Sequence, residues 1–147
     1  MPVAGTLQEV PVGERIFQRF VKRSSDRRLE RTIGSDRGLR VVFRMMSRAY
    51  RPDRAAGFSG DIRYELTDSR GAVRTWTVTC GADGASARES AEPNPALTIK
   101  LGLADFIRLA GQDLNPAVAL LSGRMDLEGD FAVAVRLGEM FGQPSAY

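Results

Sequence analysis

Hydrophobic positions recur with a helical period at both ends of the chain and with a period of two in the middle. Ile16, Phe17, Phe20 and Val21 fall at i, i+1, i+4 and i+5, with Arg15, Arg19, Lys22 and Arg23 on the other side. This spacing predicts a short amphipathic helix with a basic face. Residues 24–37 are rich in Arg, Ser and Asp, with only Leu29 and Ile33 as large apolar positions, and predict a short helix or a connection ending near Gly34. Ser35 and Asp36 can cap a stronger helix. In that helix Leu39, Val42, Phe43, Met46, Ala49 and Tyr50 share one face, Arg40, Arg44, Arg48 and Arg51 lie opposite, and Pro52 marks the end.

The period then changes. Ile62, Tyr64 and Leu66 alternate with Arg63, Glu65 and Thr67, as in a half-buried strand. A turn at 68–71 leads to 73–80, where Trp76, Val78 and Cys80 alternate with Thr75, Thr77 and Thr79, so the two runs predict a hairpin. A second turn at 81–84 opens a third, weak strand of small residues at 85–90. After a break at 92–95, Leu97, Ile99 and Leu101 predict a fourth strand.

Helical spacing returns with Leu103, Phe106, Ile107 and Ala110, stopping at Gly111. Asn115 caps a helix with Pro116 at its first position, which runs to Gly123. Met125 and Leu127 alternate with charged residues in a fifth strand, and Gly129-Asp130 opens a last helix over 131–141. That helix is apolar over most of its circumference, so it is either buried on several sides or lines a cavity. Small residues between large ones (Ala104, Ala110, Ala117, Ala119, Ala132, Ala134, Gly138) leave room for a ligand.

This order predicts an α+β fold with two layers. A roughly five-stranded, mainly antiparallel sheet is covered on one face by helices. The 147 residues fit a single domain, with neither an internal repeat nor a second domain.

Charge is unevenly spread. Residues 1–56 carry 13 Lys/Arg against 6 Asp/Glu, whereas residues 57–147 carry 8 against 12. A basic face on the first part suits either solvation or contact with an anionic membrane surface through Arg15, Arg19, Lys22 and Arg23. Stacking aromatics between the basic residues are missing, which argues against nucleic acid. No apolar stretch approaches the ~20 residues of a membrane span. The start MPVAGTLQEV has no signal-peptide pattern and the end QPSAY is not a peroxisomal signal, so the expected location is cytoplasmic.

The chemistry available is narrow. The chain has one cysteine and no histidine, which excludes an internal disulfide, Ser-His-Asp and Cys-His catalysis and histidine metal ligation. Nucleotide-binding glycine motifs are absent. Asp126, Glu128 and Asp130 read as an exposed strand face, and Cys80 as a small core residue with no basic neighbour. No cofactor, metal or catalytic residue is expected.

The run 96–101, the helix Asp105-Phe106-Ile107-Arg108-Leu109-Ala110-Gly111 and Leu114-Asn115-Pro116 follow a familiar order. So do residues 119–125 (ALLSGRM) and 127–134 (LEGDFAVA). The chain resembles the sterol carrier protein type 2 family over about 38–142, most specifically from 96 to 137. The resemblance implies a hydrophobic tunnel between sheet and helices and no catalytic group. Its ligand would be a sterol, fatty acid or acyl-CoA. Carried onto this sequence, the lipid-binding wall comprises Phe106, Ile107 and Leu109 or Ala110; Leu120, Leu121 and Ser122; Met125, Phe131, Leu137 and Phe141; and Trp76 opposite. Ser122, Gln112 and Thr77 are candidate polar anchors. Arg124 stands where the family motif has Lys.

Residues 1–35 have no counterpart in the resemblance and read as a basic N-terminal extension. Residues 36–142 would form the lipid-binding domain and 143–147 a tail. The expected function is non-catalytic lipid binding or transfer. The alternative is an interaction or accessory module of the same fold that associates with an enzyme, with a homodimer as one arrangement.

Overall fold

The computed structural model describes residues 12–141. The first eleven residues of the basic extension and the tail at 143–147 lie outside the described residues. Three helices come first: α1 (Val12–Arg23), α2 (Asp26–Arg31) and α3 (Asp36–Ala49). Serines start the second and third, because a side-chain oxygen satisfies an otherwise orphaned helical N–H. Ser25 Oγ accepts from the Arg28 N–H at 3.2 Å, and Ser35 Oγ from the Gly38 N–H at 3.1 Å. The stretch that read as helix or connection is thus a short helix. Gly34 follows it because a Cβ there would lie 2.7 Å from the Glu30 carbonyl and 2.9 Å from Leu103.

The strands are β1 (Gly60–Thr67), β2 (Val73–Gly81), β3 (Gly84–Arg88), β4 (Leu97–Gly102) and β5 (Met125–Gly129). They form one sheet in the order β3-β2-β1-β4-β5. The β1–β2, β2–β3 and β4–β5 pairs are antiparallel, but β1 and β4 run parallel, so the sheet is mixed. The parallel pair follows from the connection at 89–96, which leaves the β3 edge and must pass two strands to reach β4. It does so over the sheet's polar face. The Thr77 hydroxyl donates to the Ser90 carbonyl at 2.7 Å, and Arg63 donates to the Glu92 carbonyl. Thr77 is therefore fully buried although it points away from the helices.

Register sorts the residues cleanly. Tyr64 pairs with Trp76 and Ile99, and Ile62 with Val78 and Leu97. These face the helical layer, while Arg63, Glu65, Thr79 and Lys100 occupy the other side. α4 (Leu103–Ala110) follows β4 directly and buries Leu103, Ala104, Phe106 and Ile107. α5 (Pro116–Leu121) starts at Asn115, whose side chain accepts from the Ala117 and Val118 N–H groups. α6 (Phe131–Met140) is capped in the same way by Asp130.

α6 departs from expectation. Only Val133 and Met140 within it are buried, whereas Phe131 is 61% and Val135 80% exposed. The apolar excess therefore faces outward. β5 is an edge strand of the sheet.

α1 and α2 are fastened to α4 by Arg108. Its guanidinium donates to Asp26 at 2.7 Å, to the Val21 and Ser24 carbonyls at 3.1 and 2.8 Å, and to Asp113 at 3.0 Å. Val21 also packs so closely on Gly111 that a Cβ there would lie 2.9 Å from its methyl group.

Candidate ligand-binding site

Four aromatic rings form the centre of the helix–sheet interface. Phe43, on the inner face of α3, stacks on Trp76 of β2 with ring centroids 4.6 Å apart and planes 6° apart. On its other side it stacks on Phe106 of α4 at 5.0 Å, and Tyr64 of β1 meets both Phe43 and Phe106 edge-on. Such arrangements place the positive ring edge or an offset ring against a negative face.

Beside this cluster, an open cleft of about 740 Å³ lies between α3 and β3. Phe43, Tyr50, Trp76, Ala85 and Ala87 supply its apolar lining. The sequence explains the room: β3 reads GASAR, so its inward positions carry only methyl groups where a larger side chain would reach α3. Arg40, Arg44 and Arg48 line the α3 wall, and Asp83, Arg88 and Glu89 complete the sheet side. One polar group of a lining residue, the Trp76 indole N–H, is buried without a hydrogen-bond partner among the described residues.

Tyr50 lies near Cys80, and its ring packs on Phe141 at 5.2 Å. Burial pushes the Cys80 thiol up to about 11, with the nearby Asp61 charge acting in the same direction against the Tyr50 hydroxyl. A thiol so held is protonated at neutral pH and is a poor nucleophile, in keeping with its reading as a core residue.

The residues named from the sequence are distributed as follows. Trp76 and Phe106 stand on either side of Phe43, Ile107 is fully buried, and Phe141 packs on Tyr50. Leu109, Met125 and Leu137 are half-buried against the core. Leu120, Leu121, Ser122 and Phe131 are exposed, Leu121 by 88%. Trp76 alone of this set lines the α3–β3 cleft. Of the polar candidates, Thr77 is engaged on the opposite sheet face, Ser122 donates to the Ala119 carbonyl at 3.3 Å, and Gln112 is exposed with φ +59°.

Arg124 makes two contacts with Asp105, at 2.5 and 3.2 Å, tying the entrance of β5 to the first turn of α4. Phe43 and the arginine row line this cleft, whereas the sequence pattern placed them only on the apolar and polar faces of one helix. The i, i+4, i+8 spacing of Arg40, Arg44 and Arg48 marks one helix face, but its position over β3 is set only by tertiary packing.

A second groove of about 710 Å³ runs between α1 and the end of α4, lined by Arg15, Arg19, Lys22, Arg23 and Gln112. Val12 and Ile16 are exposed on the same helix. Among the described residues no cluster suited to hold a metal ion is present, and no helix is long and apolar enough to cross a membrane.

With this geometry in place, comparison with known proteins is direct. The model of the SCP-2 sterol transfer family matches residues 42–142. The crystal structure of sterol carrier protein 2 like 2 from Aedes aegypti superposes with a TM-score of 0.57 at 23% identity, over 69% of this chain and 94% of that one. The solution structure of the palmitated protein from the same organism gives a TM-score of 0.57 at 22% identity, over 73% and 96%. A stereoselective inverting sec-alkylsulfatase from Pseudomonas sp. gives a TM-score of 0.58 at 21% identity, covering 76% of this chain but only 17% of the enzyme. No curated protein matches the sequence significantly.

Proposed function

The chain belongs to the SCP-2 sterol transfer family, and on that premise we propose that it is a non-catalytic lipid carrier which holds a sterol or acyl chain between its sheet and its helices. The observation that carries this reading is the stacked pair Phe43 and Trp76, backed by Phe106, at the base of an open cleft. A flat apolar surface beside unfilled volume is what a lipid body needs. The solution structure of a relative with palmitate supports the same class of ligand.

The energetics suit such a role. Each buried methylene contributes about 0.8 kcal/mol, so ~14 of them contribute about 11 kcal/mol gross. Association and ordering remove ~4–15 kcal/mol. At the low end of that cost about 7 kcal/mol remains, a Kd on the order of 10 μM, so a carrier of this kind depends on a preformed site and tolerates different ligands. Within this reading, the wall named from the sequence contributes in two ways. Phe106, Ile107 and Phe141 hold the ligand-facing core in place. Leu121 and Phe131, on the helices flanking β5, give the apolar surface across which a lipid enters and leaves. The basic face of α1 then meets anionic membrane surfaces, with Ile16 beside it.

A titration with palmitate, read by the fluorescence of Trp76, tests this. The only tryptophan of the chain lines the cleft and is 4% exposed. Saturable quenching or a blue shift at one ligand per chain is the expected result. An unchanged spectrum up to the solubility limit of palmitate, with none for a sterol either, would remove the carrier reading.

One observation favours a second reading. Val118, Leu121, Phe131 and Val135 are all more than half exposed on α5 and α6, a face suited to a protein partner. The sulfatase shows that this fold also occurs as a small part of a larger enzyme. A complex that buries this face, formed by a chain that binds no lipid, would favour an accessory module.

A further inference from the structure

We infer that the rim of the α3–β3 cleft is a docking strip for a protein partner. The partner offers an extended peptide segment with acidic residues at every second position, which adds to the sheet as a further strand beside β3.

The first observation is an open sheet edge. β3 ends the strand order and pairs only with β2. Among the described residues, no backbone N–H or carbonyl of residues 84–88 bonds outside that ladder. In an antiparallel pair, alternate residues of the outer strand keep both backbone groups free, and such an edge templates another strand. The features that commonly block an edge are nearly missing here. The strand GASAR has no proline and a single charge at its end. The cleft runs along this edge rather than over one face, because all of residues 83–89 line it, inward and outward positions alike.

The second observation is charge without partners on the facing wall. Arg40, Arg44 and Arg48 line the cleft from α3, are exposed, and make no ion pair among the described residues. On the sheet side, Arg88 pairs with Glu92 at 3.3 Å and Glu89 with Arg74 at 2.7 Å. Asp83 is the lining carboxylate left unpaired. The strip is therefore positive, and its electrostatic complement is an acidic segment.

The third observation is a match of periods. Residues four apart on a helix stand about 6 Å apart along its axis, so the row from Arg40 to Arg48 extends about 12 Å. Alternate residues of a strand stand about 6.8 Å apart on one face, so three of them extend about 13–14 Å. Three alternate carboxylates thus meet three guanidiniums in turn. Consecutive acids do not, because neighbouring side chains of a strand point to opposite faces. An acidic strand satisfies edge and row together, whereas a nucleic acid or an anionic membrane would meet only the charge.

The experiment titrates the isotope-labelled full chain with two end-capped peptides of one composition, TETETET and EEETTTT, followed by amide NMR. Two triple variants are compared with the wild type. One replaces the row (Arg40→Gln, Arg44→Gln, Arg48→Gln). The other removes the same charge elsewhere (Arg27→Gln, Arg31→Gln, Arg70→Gln). All six side chains are exposed, so folding is preserved. TETETET is expected to shift the amides of residues 84–88, to slow their hydrogen exchange, and to bind about 5-fold more tightly than EEETTTT. The row variant should bind TETETET about 10-fold more weakly or worse, and the control variant should resemble the wild type. Equal affinity for the two peptides, unchanged amides at 84–88, or equal weakening by both variants would overturn the docking strip. Row-dependent binding of phosphatidylserine vesicles by a chain that ignores TETETET would overturn it in favour of a membrane contact. Palmitate binding, read through Trp76 at the base of the cleft, reports on the lipid carrier separately.

Discussion

Replacing Phe43 by alanine is expected to lower the stability of the fold by about 3–5 kcal/mol, the range for removing a large buried ring. Phe43 is fully buried. It is sandwiched between Trp76 at 4.6 Å and Phe106 at 5.0 Å, with Tyr64 edge-on at 5.4 Å. No neighbour can close over the gap easily, because each ring is held from a different element: β2, α4 and β1. The substitution removes packed apolar area, three ring contacts of ~0.5–1.5 kcal/mol each, and the surface on which α3 rests. A domain of this size is stable by only about 5–15 kcal/mol, so the loss brings the variant close to its unfolding threshold. Urea denaturation followed by circular dichroism measures it. Phe43→Leu, which keeps most of the volume, should lose distinctly less. A midpoint for Phe43→Ala within error of the wild type would show that the ring cluster does not hold the two layers together.

The second large effect is expected at Arg108, and it is regional rather than global. Its guanidinium reaches α1 and α2 through the Val21 and Ser24 carbonyls and Asp26, and the end of α4 through Asp113. Substitution by methionine keeps the apolar stem but removes every one of these donors. Hydrogen bonds to a charged group contribute ~1.5–3 kcal/mol. The buried share of this network is small, since the Asp26 side chain is 65% exposed, so a net loss of about 2–3 kcal/mol is expected. Amide hydrogen exchange should show residues 12–31 opening faster in Arg108→Met while β1, β2 and β4 keep their protection. Uniform protection across both regions, as in the wild type, would contradict the clamp. This result also bears on the N-terminal segment, because the family match begins only at residue 42.

The sheet was legible because its inner face alternates strictly. Ile62, Tyr64 and Leu66 on one strand and Trp76, Val78 and Cys80 on the next can only face one way. Caps at Ser35, Asn115 and Asp130 marked helix starts for the same local reason. The parallel pairing of β1 with β4 was not legible. It depends on the path of residues 89–96 across the sheet, which Thr77 and Arg63 hold by bonding to backbone carbonyls, and a backbone carbonyl leaves no signal in residue types. The terminal helix was read as buried or cavity-lining because apolar count alone does not tell which elements lie beyond it. Among the described residues, Phe131 and Val135 beside the edge strand stay exposed.

The cleft was hidden for a related reason. Its room comes from small residues on β3, where the sequence shows a weak strand but not what packs over it. Its charge comes from one face of α3, which by itself reads as ordinary solvated surface. Only the packing of α3 over β3 joins the two. The small residues singled out on the C-terminal helices point elsewhere, and Ala119 is simply core.

The central claim is that this chain carries a lipid. Native mass spectrometry of the purified full chain, followed by organic extraction of whatever is bound, tests it most directly. The account predicts a second species heavier by one lipid per chain, with an amphiphile recovered in the extract or readily loaded by adding one. A chain that is empty as isolated, and stays empty after incubation with palmitate, palmitoyl-CoA and a sterol, would contradict it.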